Sequence, residues 1–126
     1  MNIKKVAFEP MNKVHEQELK ILEKLLQKLN SSQDYKKELE EFIKDVENHF
    51  SFEEKLMEKY DFFAKIPHKM EHDKILNELY QLKNLPREKV KEYFNNHFLE
   101  WLENHIATID TVTAGFLNMI GAKDEF

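Results

Sequence analysis

Cysteine is absent from the sequence. That excludes disulfides, thiolate zinc sites and iron–sulfur clusters, so any metal ion must be held by histidine and carboxylate side chains. Glycine occurs twice and proline three times, too few breakers for a turn-rich β fold. No apolar run approaches the roughly 18 residues of a membrane span. Residues 1–10 lack the apolar stretch of a secretory signal, and the cytoplasm is the expected location. Cationic excess is missing as well. The formal net charge is -5, which sets the chain against nucleic acid, whose phosphates it would repel.

What is present favours helices. The chain has 126 residues, 41% hydrophobic and 34% charged, and is rich in Leu, Glu and Lys. Its length suits a single domain over residues 1–126 with one core. Residues 1–11 show no periodicity and read as an N-terminal arm, with Phe8 packing on the helical body. Leu19, Leu22, Leu26 and Leu29 then step by three and four, which predicts a first helix from about Asn12 to Leu29. Ser32 is the expected N-cap of a second helix. That helix carries Tyr35, Leu39, Phe42, Val46, Phe50 and Leu56 and should end between Tyr60 and Phe63. Pro67 suits the first turn of a third helix, with Ile75, Leu79 and Leu82 as its stripe. Pro86 opens a fourth, through Val90, Phe94, Trp101, Ile109, Val112 and Phe116, with Gly121 as the stop. Connections this short make sequential neighbours antiparallel. The expected fold is all-α, an up-down-up-down antiparallel four-helix bundle.

Five of the six histidines fall on these stripes or their margins. His15 lies one turn before Leu19. His49 and Glu53 are four apart and continue the spacing of Phe42 and Val46. His68 and His72, also four apart, lead into Ile75 and Leu79. His105 follows Trp101 by four. A spacing of four places two side chains on one helix face, about 5–6 Å apart at Cβ. Burying so many polar groups without partners would cost about 1–3 kcal/mol each, so they need a common one. Imidazoles and carboxylates without sulfur suit iron, zinc, manganese or copper. A single HxxxE or HxxxH pair is more often a surface pair; four helices each giving one element in register with the apolar stripes are not. Asp110 is harder to place. Five residues from His105 is about 140° around an ideal helix, so it needs either a local π-type widening, the favoured reading, or an approach from the flank. His97 lies about 12 Å along the axis from His105, too far to share the site.

Taken together, His15, then His49-Phe50-Ser51-Phe52-Glu53-Glu54, then His68 with His72, then Trp101-Leu102-Glu103-Asn104-His105-Ile106 with Asp110, resembles hemerythrin from about residue 12 to 119. The resemblance implies two non-heme irons. His68, His72 and His105 would ligate one, and His15 and His49 the other. Glu53 and Asp110 would bridge them beside an oxo or hydroxo group. It also implies that the two-histidine iron keeps an open position where O2 binds reversibly as a hydroperoxide, within a lining that includes Phe50, Trp101 and Leu102.

Glu18 departs from the pattern. It shares a face with His15 inside the buried arc, at a position that is apolar in familiar hemerythrins and lines the oxygen pocket. It would occupy the open iron position, hydrogen-bond a bound peroxide, or else turn outward to solvent. Asn12-Lys13-Val14 stands where bacterial relatives commonly carry an aromatic residue and an Asp. Three functions compete: an O2 binder for storage, delivery or scavenging; a di-iron redox enzyme acting as peroxidase, oxidase or nitric-oxide handler, with Glu18 modifying the open site; and a structural metal bundle. A redox partner or reductase is a further expected partner. The oligomeric state stays open, with Phe62, Phe63 and Phe126 as candidates for packing between chains.

Overall fold

The computed structural model describes residues 3–123. Three long helices come first: α1 (Glu9–Leu29), α2 (Lys36–Lys59) and α3 (Lys65–Gln81). A 3-10 turn over Leu82–Asn84 leads to a fourth rod, made of α4 (Arg87–Glu92), a π-helical segment (Tyr93–Phe98), α5 (Leu99–His105), a second π-helical segment (Ile106–Asp110) and α6 (Thr111–Met119). Among the described residues there is no strand, and no helix is long and apolar enough to cross a membrane.

Cross-helix pairs fix the directions. His15 lies 3.6 Å from Glu53 while Gln17 donates to Asp45, so α1 and α2 run antiparallel. Tyr80 donates to Glu47 while His72 meets Glu54, so α2 and α3 are also antiparallel. Tyr93, His105 and Thr113 pair in turn with Glu78, Glu71 and His68, which runs the fourth rod against α3. The result is an up-down-up-down four-helix bundle.

Apolar faces close its two ends. At one, Phe42 meets Phe94 and Phe98 edge-on, with ring centroids 5.6 and 5.4 Å apart, over fully buried Leu22, Leu25 and Leu29. At the other, Phe62 packs on Phe116 at 5.0 Å. Phe62 is 2% exposed and belongs to the core, so it is not the surface residue expected from its place beyond a helix end. Phe63 is 78% exposed, and Phe126 lies outside the described residues.

Several boundaries differ from the sequence expectation. α1 begins at Glu9 rather than Asn12, because Pro10 fits the first turn. The arm is therefore shorter, and it is tied down: Val6 N–H donates to Asn12 Oδ1, and Asn12 Nδ2 donates back to Val6 O, each at 2.9 Å. Val6 and Phe8 are buried beneath it. Ser32 does not cap α2. Tyr35 holds that position, and Lys36 N–H donates to Asp34 Oδ1. Asp61 takes a left-handed backbone (φ 48°) that ends α2, and Gly121 (φ 68°) follows α6. Arg87 Nη2 donates to the carbonyls of Lys28, Leu29 and Ser31, and its guanidinium lies over the Tyr35 ring, which ties the C-terminus of α1 to the fourth rod.

The fourth stripe changes register. Ile109 is half-buried and Val112 is 52% exposed, while Thr113, Ala114 and Leu117 turn inward. The second π segment is the cause: a wider turn takes up an extra residue and sets every later one back around the axis.

Candidate metal centre

The fold gathers all seven side chains singled out by spacing: His15 from α1, His49 and Glu53 from α2, His68 and His72 from α3, and His105 and Asp110 from the fourth rod. None is more than 3% exposed. Two groups form, each able to hold an ion: Glu53 with His68, His72 and His105, and His15 and His49 with Glu53 and Asp110. The two carboxylates lie between them. Glu53 Oε1 is 3.2 Å from Nε2 of His68 and of His72, while Oε2 is 2.6 Å from His49 Nε2 and 3.6 Å from His15 Nε2. Asp110 Oδ1 is 3.2 and 3.1 Å from His68 and His105, and Oδ2 is 3.2 Å from His15. Each carboxylate thus offers one oxygen to each group.

The π segment is what brings Asp110 inward. Thr111 N–H reaches back five residues to Ile106 O, and Thr111 Oγ1 donates to the same carbonyl at 2.7 Å. An ideal helix would send Asp110 off the face of His105; the widened turn places both on it.

Outer partners set the tautomers. His49 Nδ1–H donates to Glu18 Oε1 (2.8 Å), His72 Nδ1–H to Glu54 Oε2 (2.9 Å) and His105 Nδ1–H to Glu71 Oε1 (2.8 Å). Thr113 spends its own proton on Ile109 O, so it accepts from His68 Nδ1–H at 2.8 Å. With Nδ1 protonated in all four, the neutral ring turns its Nε2 lone pair inward.

Lone pairs therefore face carboxylate oxygens. Nε2 of His15, His68, His72 and His105, Glu53 Oε1 and both Asp110 oxygens are buried without a hydrogen-bond partner. Acceptors crowded on acceptors call for cations between them. This donor set fits a pair of metal ions, and in their absence protons are the substitute. Burial alone would push His15 and His68 down, but the neighbouring Asp110 and Glu53 reverse that and hold both up to about 9. Against the same burial, Glu53 and Glu18 hold His49 well above its ordinary range. Glu53 and Asp110, whose burial would favour the neutral acid, are kept ionised by the surrounding imidazoles.

Aromatic rings brace the three-histidine group. Phe50 stacks on His72 at 3.8 Å with planes 3° apart, and half-buried Trp101 stacks on His105 at 4.6 Å. Leu102 is buried beside them. A largely apolar cavity of about 260 Å³ reaches His68 from the start of α3 and from α6. His97 is exposed and meets Glu78, away from the site.

Glu18 is buried, so it does not turn outward. Its oxygen meets the outer nitrogen of His49, one ring removed from the converging Nε2 atoms, rather than an ion position. Sequence reasoning missed Glu54, Glu71 and Thr113. Only Thr113 carried a signal, as a polar residue three beyond Asp110; the glutamates find their histidines across helices, where spacing along one chain is silent.

Comparisons with known proteins agree with this geometry. Residues 6–117 match the Hemerythrin HHE cation binding domain family. The chain is 35% identical over 119 residues to the Bacteriohemerythrin of Aquifex aeolicus (strain VF5), covering 89% of this chain and 91% of that protein. No solved structure matches significantly. With a donor set that calls for cations and a family match spanning nearly all of the folded chain, the protein belongs to the hemerythrin family.

Proposed function

We propose that this chain is a non-heme di-iron protein that binds O2 reversibly, for storage, delivery or scavenging. The observation that carries the reading is the asymmetry of the two groups. His68, His72 and His105 serve one ion and His15 and His49 the other, while Glu53 and Asp110 give one oxygen to each. With a shared oxo or hydroxo bridge, an octahedral ion at the first group would be complete and its neighbour one ligand short. A small ligand would bind at that remaining position.

Iron held there would supply the electrons that O2 takes up on binding and gives back on release. The chain's own residues supply the rest. Five imidazoles, four of them oriented by outer partners, with two carboxylates, would limit the net positive charge of a diferrous pair. Phe50, Trp101 and Leu102 pack an apolar wall against the histidines, which disfavours the water and anions that would promote irreversible oxidation. The relative from Aquifex aeolicus bears the name Bacteriohemerythrin, which supports the same reading.

Anaerobic reconstitution with ferrous iron tests it. Two equivalents per chain are expected. Air should bring an optical change that reverses when O2 is removed. Fewer than two irons would refute the di-iron site, and O2 or peroxide consumed in turnover would refute a carrier role in favour of an enzyme.

A further inference from the structure

The outer partners of the five histidines differ in kind. His15 Nδ1 has none. His68 has a hydroxyl, already committed to a backbone carbonyl. His72 and His105 have carboxylates, but Glu54 and Glu71 have side chains 26% and 29% exposed, so water screens their charge. Glu18 is 3% exposed and meets an imidazole that is 2% exposed. One fully buried anion therefore acts on the centre from outside, and it acts on the two-histidine group alone.

We propose that Glu18 is a positioning residue that sets the redox asymmetry of the pair, lowering the reduction potential of the ion held by His15 and His49. This rests on the di-iron reading above. When that ion is oxidised, it draws electron density from His49 through Nε2 and makes the Nδ1–H a stronger donor. A carboxylate at 2.8 Å then holds the proton more tightly, and in a dry interior little solvent weakens the interaction. The ferric state is stabilised more than the ferrous one. His15 has no acceptor, so His49 is the one route by which an outer hydrogen bond reaches that ion. The ion that takes the ligand is thereby the readier electron donor, while the three-histidine ion feels charges that face solvent.

Glu18→Gln keeps an acceptor oxygen and nearly the same shape while removing the charge, so it separates electrostatics from packing. The variant should load two irons. The ratio of its affinities for ferric and ferrous ion at the two-histidine position should fall tenfold or more, an upward shift of about 59 mV or more in a one-electron potential measured by spectroelectrochemistry. Glu71→Gln should move the potential less. Two irons with an unchanged potential in Glu18→Gln would overturn this inference and leave the di-iron reading standing. Fewer than two irons in the unmutated protein would refute both. A measurement that needs neither the variant nor redox chemistry is proton NMR of the unmutated protein loaded with zinc. The His49 Nδ1 proton should resonate downfield of those of His72 and His105, and a position no further downfield than theirs would overturn the assignment.

Discussion

Glu53→Gln perturbs the centre at one of the two carboxylates that serve both groups. Its two oxygens face four imidazole nitrogens at 2.6 to 3.6 Å. Glutamine keeps the shape but removes the anion and aims an N–H at one of the two groups. A lost outer partner costs 10- to 100-fold in metal affinity, so a lost inner carboxylate should cost each ion at least about 100-fold, or about 2.7 kcal/mol. Across two ions that is about 5.5 kcal/mol of metal-linked stability, provided iron is well above its dissociation constant. At about 2.1 cal/mol/K of unfolding entropy per residue, a chain of this length melts roughly 4 °C lower for each kcal/mol lost. The rise in Tm on adding ferrous iron anaerobically, followed by circular dichroism, should therefore shrink by roughly 20 °C relative to the unmutated protein. Subtracting each variant's metal-free melt removes any purely structural effect. His15→Ala is the matched control. It damages only the two-histidine group and should leave one iron per chain. A Glu53→Gln protein that keeps two irons and the full iron-dependent rise would refute the shared-carboxylate geometry.

The same contacts set other measurable outcomes. In the metal-free protein, His15 and His68 are held up to about 9, against 6.5 for the free side chain. Their protonated contacts thus stabilise the fold fully below about 6.5, and this contribution is lost as pH rises through about 9, so the metal-free Tm should fall between those values. Iron uptake near pH 7 should release more protons than near pH 10; calorimetry in buffers of different ionisation enthalpy measures this, and equal release at both would refute the proton-filled site. Glu71→Gln removes the carboxylate on His105 Nδ1 and should weaken iron at the three-histidine group about tenfold, read by chelator competition. Arg87→Ala frees the carbonyls of Lys28, Leu29 and Ser31. It should cost about 1–2 kcal/mol, roughly 4–8 °C in Tm, with iron content unchanged.

The sequence pattern carried much of the centre because periodicity and chemistry coincide there. His49 with Glu53, and His68 with His72, sit on stripes whose apolar members are buried, so reading the stripe also located the donors. Legibility failed where a helix leaves its ideal pitch or where two helices must meet. Ile109 and Val112 looked inward on an unbroken helix, and the π turn carried them outward. Glu18 could be placed inside the bundle from its register with His15, but its target lies on α2, thirty-one residues away. Phe62 follows a helix end and looked exposed; the left-handed turn at Asp61 folds it back onto Phe116.

The extra residue accommodated between Ile106 and Asp110 ties two demands that a regular coil could not meet together. Winding that stretch at ordinary pitch with no residue removed would turn α6 by about 100° relative to α5. Thr113, Ala114 and Leu117 would leave the interior just as Asp110 swung away from His105, so cation binding and closure of the bundle's far end would fail together. The carboxylate bridge and the last turns of the bundle thus rest on the same widened coil, and deleting one residue within it should spare both, because Asp110 would then follow His105 by four and share its face.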